Sequence, residues 1–174
     1  MRQKVRVEVI DRFMKALGRA GKTSTQIYFV GGVSAVLLGW RETTIDIDLK
    51  MVPEANDVLK SIPVLKEQLQ VNVELASPDD FIPALPGWQE RSPFIGREGA
   101  IDYFHYDFYA QALAKLERGH NTDLLDVRQM IKHHLIEPSR LLEFFSRIED
   151  RLYKYPAIDA DSFRSAVQNF LETL

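Results

Sequence analysis

Two aspartates stand two residues apart in Thr43-Thr44-Ile45-Asp46-Ile47-Asp48-Leu49-Lys50. From Thr43 to Val52 apolar and polar residues alternate, so the stretch reads as a strand. Ile45, Ile47 and Leu49 take one face, and Asp46, Asp48 and Lys50 the other. Two carboxylates on one face repel each other unless something positive sits between them. A hard divalent cation satisfies both, and Mg2+ is the usual choice where phosphate oxygens supply the remaining ligands. The plainer alternative is a solvated sheet face, on which acid-x-acid pairs are common.

Upstream lies a second feature, Gly31-Gly32-Val33-Ser34, between a run of β-formers (Gln26–Val30) and an apolar run (Val33–Leu38) that begins a helix. Glycines let a polyanion approach the backbone, and a helix start offers free N–H groups to phosphate. Ser34 adds a hydroxyl. A double glycine alone is also an ordinary tight turn. Together, a phosphate cradle and a metal pair one helix and one short loop apart have the wiring of a nucleotide-transfer site. Glu74, in phase with Asn72 and opposite Val71 and Val73 on a strand Leu69–Leu75, is the candidate third acid; otherwise it is an exposed strand residue. Asp102 is a weaker candidate. In Ala112-Leu113-Ala114-Lys115-Leu116, Lys115 shares a helical face with Arg118, while Asp123 and Asp126 share a face of the next helix. That pattern fits an interhelical salt-bridge network, Lys115 or Arg118 to Asp126. It also fits Lys115 against a triphosphate with Asp126 orienting it, and the two are compatible.

The elements that must position these residues follow from periodicity. Residues 4–20 form an amphipathic helix ended by Gly18 and Gly21. Its basic residues are a solvated face or a cationic rim for RNA. Ala55–Ile62 reads as helical, Ser77-Pro78-Asp79-Asp80 as a helix start, residues 83–99 as a loop, and Ile101–Phe108 as a last strand. Helices are expected near 108–118, 122–134, 138–151 and 161–173, the second capped by Asn121 or Thr122. Phe144, Phe145, Tyr153 and Tyr155 read as core or dimer contacts. The fold class is α/β (α+β): an α/β part over 1–110, then a helical region over 111–174 expected to pack on the sheet.

Composition narrows the chemistry. Absence of cysteine excludes disulfides and thiol catalysis. The four histidines, at 105, 120, 133 and 134, have no zinc-enzyme spacing. A net charge of −3 excludes a bulk basic field for nucleic acid, although seven Lys/Arg crowd the first 22 residues. No apolar run reaches the ~18 residues of a membrane span. With no signal-peptide pattern either, a cytoplasmic protein is expected.

The string VGGVSAVLLGWRETTIDIDLKM resembles the signature of the DNA polymerase β-type nucleotidyltransferase superfamily: strand, Gly-Gly or Gly-Ser, helix, then Asp-x-Asp on a strand. The later string LAKLERGHNTDLLDV is similar to motifs of the AbiEii-like nucleotidyltransferases, toxins of type IV toxin–antitoxin systems. The resemblance covers residues 26–52 and 111–131. The chain is shorter than AbiEii-type toxins and closer to small stand-alone members. It offers Asn72-Val73-Glu74 where many members carry Asp. The resemblance implies a nucleotidyltransferase-like mixed sheet flanked by helices. Gly31, Gly32 and Ser34 would hold nucleotide phosphates; Asp46 and Asp48, with Glu74, would bind Mg2+. Lys115 would contact the triphosphate and Asp126 would be the tail acid. It further implies transfer of an NMP from an NTP to a hydroxyl of RNA, protein or a small molecule, with tRNA or protein as acceptor and an antitoxin as partner. A catalytically inactive nucleotide-binding or interaction module on the same fold is the alternative.

Overall fold

The computed structural model describes all 174 residues. The chain divides into two units. Met1–Ser77 with Ser92–Tyr106 forms the first, and Pro78–Arg91 with Asp107–Leu174 the second. The segment 78–91 thus groups with the helices, and the division after the last strand falls at Tyr106.

The first unit is a mixed five-stranded sheet with helices on one face. Its elements are α1 (Val7–Ala20), β1 (Thr25–Val30), α2 (Gly32–Leu38), β2 (Asp46–Val52), α3 (Asn56–Leu69), β3 (Asn72–Leu75), β4 (Phe94–Glu98) and β5 (Ile101–His105). The strand order is β3-β2-β1-β5-β4. β1 runs antiparallel to β2 and parallel to β5; β2 runs parallel to β3, and β4 antiparallel to β5. Alternation sends Ile27, Phe29, Ile47, Leu49, Met51, Val73, Ile101 and Tyr103 to one face. There they are buried with Ile10, Phe13 and Leu17 of α1, Val33 and Val36 of α2, and Val58, Ile62 and Leu65 of α3. The opposite parity puts Asp46, Asp48, Lys50, Asn72 and Glu74 on the other face.

Two elements differ from the expectation. α3 does not stop at Ile62 but runs through Pro63 to Leu69. The ring removes one helical hydrogen bond. Val58, Ile62 and Leu65 nevertheless form one buried stripe on both sides of it, and Pro63 itself is exposed. Residues 94–98, expected within a loop, form β4, whose pairing with β5 shifts register between Phe94 and Gly96. That irregularity, together with Pro93 and Gly96, erased the alternation that marks a strand.

The second unit contains α4 (Phe108–Arg118), α5 (Asn121–Lys132), α6 (Leu141–Ile148) and α7 (Ala160–Glu172). Its core includes Leu113, Leu116, Val127, Phe144, Phe145, Phe163 and Phe170. Tyr109 packs against Phe144 with ring centroids 4.5 Å apart, and Phe145 against Phe163 at 4.9 Å. The 3-10 turn Pro78–Asp80 replaces the helix expected to start there. The cap of α5 is His120 rather than Asn121 or Thr122. Phe144 and Phe145 are core residues, whereas Tyr153 is exposed. No helix is long and apolar enough to cross a membrane.

Candidate functional site

β1 ends at Val30 and the chain turns at Gly31, whose φ of 61° and ψ of −121° exclude residues with a Cβ. Gly32 follows as the first residue of α2. Here the constraint is space: a Cβ would meet the Thr44 side chain, whose own Cβ lies 2.6 Å from that position. The antiparallel register pairs Val30 with Asp48, which brings the acid beside the bend. A Cβ built on Gly31 would stand 4.0 Å from Asp48 Oδ2.

Asp46 and Asp48 share their face with β3. The parallel register sets Asn72 beside Asp46 and Glu74 beside Asp48. The Asn72 side-chain amide donates to Asp46 Oδ1 at 2.8 Å and to Glu74 Oε1 at 2.9 Å. Two carboxylates are thus joined through one neutral group. Lys50 continues the row along β2 and pairs with Tyr28 of β1, whose ring stacks on Phe104 at 5.1 Å. The sheet therefore brings Asp46, Asp48, Glu74 and the Gly31 bend together. Asp102 is elsewhere: it pairs with Gln26, four residues along β1 from Val30. Hydrogen bonds from Arg97, the shorter 2.6 Å, hold its carboxyl below the usual range.

Ser34 is turned inward. Its hydroxyl lies 2.8 Å from His105 Nδ1 and 3.5 Å from the Phe29 carbonyl oxygen, and both side chains are buried. Burial pushes the His105 imidazole down to about 4, so it is neutral near pH 7. No local pattern marked His105 as Ser34's partner, because 71 residues separate them.

Lys115 and Asp126 belong to the second unit. Lys115 Nζ lies 2.9 Å from Asp126 Oδ2 and 3.5 Å from Asp123 Oδ1 across the α4–α5 turn. Arg118 Nε donates to Asp123 Oδ2 at 2.7 Å, so Arg118 meets Asp123 and not Asp126. Burial works to raise the Asp123 carboxyl, but the Arg118 hydrogen bond and the charges of Lys115 and Arg118 outweigh it and keep it low.

Asp46 and Asp48 are hard oxygen donors. No three acid or imidazole side chains gather closely enough to seat an ion by themselves. That donor set suits Mg2+, which is commonly held by one or two carboxylates plus phosphate oxygens and water. Asn72 was not among the expected site residues. The available signal was its parity, which places it on Glu74's face.

A glycine bend opposed to paired acids on a mixed sheet is the arrangement that the resemblance to nucleotidyltransferases leads one to expect. The chain belongs to the family described as "Nucleotidyltransferase of unknown function (DUF6036)", whose model matches residues 6–171. Membership implies a nucleoside triphosphate as substrate. No curated protein and no solved structure matches the chain.

Proposed function

We propose that the protein is a Mg2+-dependent nucleotidyltransferase that moves an NMP from an NTP to a hydroxyl of RNA, protein or a small molecule. The observation that carries this reading is the pairing of Asp48 with Val30, which sets its carboxylate beside the Gly31 bend, 4.0 Å from where a Cβ on Gly31 would stand. A triphosphate lying along the glycines would meet the acid pair. Bound Mg2+ would supply positive charge against the α-phosphate. Asp46 and Asp48 would hold it, and the Gly31-Gly32 backbone would take phosphate oxygens. The acceptor oxygen attacks the α-phosphorus as the bond to the β-phosphate oxygen breaks and pyrophosphate leaves. The hydroxyl proton passes to a carboxylate, a role open to Glu74 beside Asp48. The resemblance assigns a triphosphate contact to Lys115, oriented by Asp126; the pair itself lies within the second unit. A toxin of a type IV toxin–antitoxin system, with an antitoxin partner, is the finer reading, supported by the Lys115–Asp126 motif.

Incubation with each labelled NTP, Mg2+ and total RNA, beside protein alone, tests the reaction and detects self-modification. In Asp46→Asn, which keeps size and removes charge, transfer should fall by about a hundredfold or more with the fold intact. Retained transfer would rule the mechanism out. One observation favours the alternative of a catalytically inactive nucleotide-binding module: Asn72 already engages both Asp46 and Glu74. NTP binding by calorimetry without pyrophosphate release from any acceptor would select that reading.

A further inference from the structure

Phe144 and Arg147 lie on α6, Arg140 ends the 3-10 turn Pro138–Arg140 just before it, and Arg151 lies on the 3-10 turn Glu149–Lys154 just after it. Phe144 is fully buried, yet three guanidinium groups crowd its ring. Their central carbons lie 4.5 Å (Arg91), 4.8 Å (Arg140) and 5.1 Å (Arg147) from the centroid. Arg140 also lies 5.3 Å from the Tyr109 ring. Stacking holds these planar groups in place at little entropic cost.

The carboxylates nearby do not balance them. Arg91 is taken by the buried Asp107, at 2.7 Å. Glu143 alone serves both Arg140, at 3.8 Å, and Arg147. Asp150 stands 4.0 Å from Arg151. Like charges packed this closely are relieved by an added anion, and the guanidinium fork matches the oxygens of a phosphate. At α rise through α6 and the larger 3-10 rise beyond it, Arg140 to Arg151 spans about 18 Å, a row rather than a pocket, which suits successive phosphates of one strand. Tyr153, two residues beyond Arg151, is 76% exposed, and Lys154 Nζ lies 5.9 Å from its ring centroid, which puts an exposed ring and a further cation within reach of an unpaired base. An acidic peptide would use the charges but not the ring.

We infer that the row Arg140–Arg147–Arg151 is a phosphate-backbone contact for single-stranded RNA, which names the acceptor class of the transferase. Its purpose rests on the reading above, but its test does not. Binding of an unstructured fluorescent RNA oligonucleotide is measured by anisotropy against salt. Replacing all three arginines by Gln should flatten the log–log salt slope by about two units. From about 50 to 200 mM salt, the wild type should therefore lose about twentyfold more affinity than the variant. The Lys triple variant should retain the slope. Glu143→Gln, which removes the shared counter-charge, should tighten binding and decides the matter if the Gln variant fails to melt cooperatively. Asp46→Asn should bind RNA as wild type does, so loss of transfer and loss of RNA binding are read separately. The inference is overturned by absent RNA binding in the wild type or by an unchanged slope in the Gln variant. Preferential binding through these arginines to phosphatidylserine–phosphatidylcholine vesicles or polyglutamate overturns it too.

Discussion

Two acid pairs invite comparison, Asp46 with Asp48 on the sheet and Asp123 with Asp126 on α5. The second pair is closed on itself. Lys115 meets both acids and Arg118 meets Asp123, so two carboxylates face two cations within one helical turn-around. In the first, Asp46 and Glu74 lean on a neutral amide, and Lys50 follows Asp48 along the same sheet face. Buried charges must be matched or they cost stability. A matched knot therefore holds the fold, whatever further role belongs to the family motif that passes through it. A row of acids at partly exposed positions beside a glycine bend is where a cation and a phosphate chain find use.

The comparison breaks most visibly if Lys115 is removed. Lys115→Met takes the ammonium away from both Asp126 and Asp123, whose carboxylates are almost fully buried. Breaking one partner of such a pair costs about 3–5 kcal/mol, read as a lowered midpoint in urea. A loss of NTP affinity without that destabilisation would move Lys115 out of the architectural class. Asp46→Asn should do the reverse. Its melting temperature should equal or exceed the wild type's without Mg2+, since one of the repelling acids is neutralised, while transfer collapses. A large drop in stability would mean that the sheet acids are structural as well.

The same contrast explains what could be read from the sequence. Asp46, Asp48 and the Gly31-Gly32 bend were legible because strand parity and positive φ are local constraints. Glu74 was legible up to its parity; its place beside Asp48 depends on a parallel pairing that no local pattern states. Ser34 shows the limit. Its position after the glycines suggested a phosphate ligand, but its hydroxyl faces His105, brought near only when β5 pairs with β1. β4 was lost to a register irregularity, and the length of α3 to Pro63, whose helix-breaking tendency the buried stripe overrides.

The covered side of the first unit has its own electrostatic signature. His105 titrates near 6.5 when unfolded and at about 4 when folded. Between those values the unfolded chain binds the extra proton, so stability is complete above about pH 6.5 and is lost as pH falls toward 4. The full loss amounts to about 3 kcal/mol. Unfolding free energies measured at intervals across this range should show that slope in the wild type. His105→Gln should lack it. An identical slope in the variant would assign the acid sensitivity to other groups.

The smallest effect concerns Asn72. If its amide only spaces Asp46 and Glu74, Asn72→Ala should leave stability nearly unchanged, because the side chain is partly exposed and its two hydrogen bonds compete with water. In the transferase reading the same change frees both carboxylates. It should then shift the Mg2+ concentration for half-maximal transfer by about fivefold, equivalent to one ordinary hydrogen bond. A downward shift would mean that the amide competes with the cation. An upward shift would mean that it holds the acids in the arrangement the cation needs. No shift, with transfer intact, would mean that the amide neither competes with the cation nor arranges the acids that hold it.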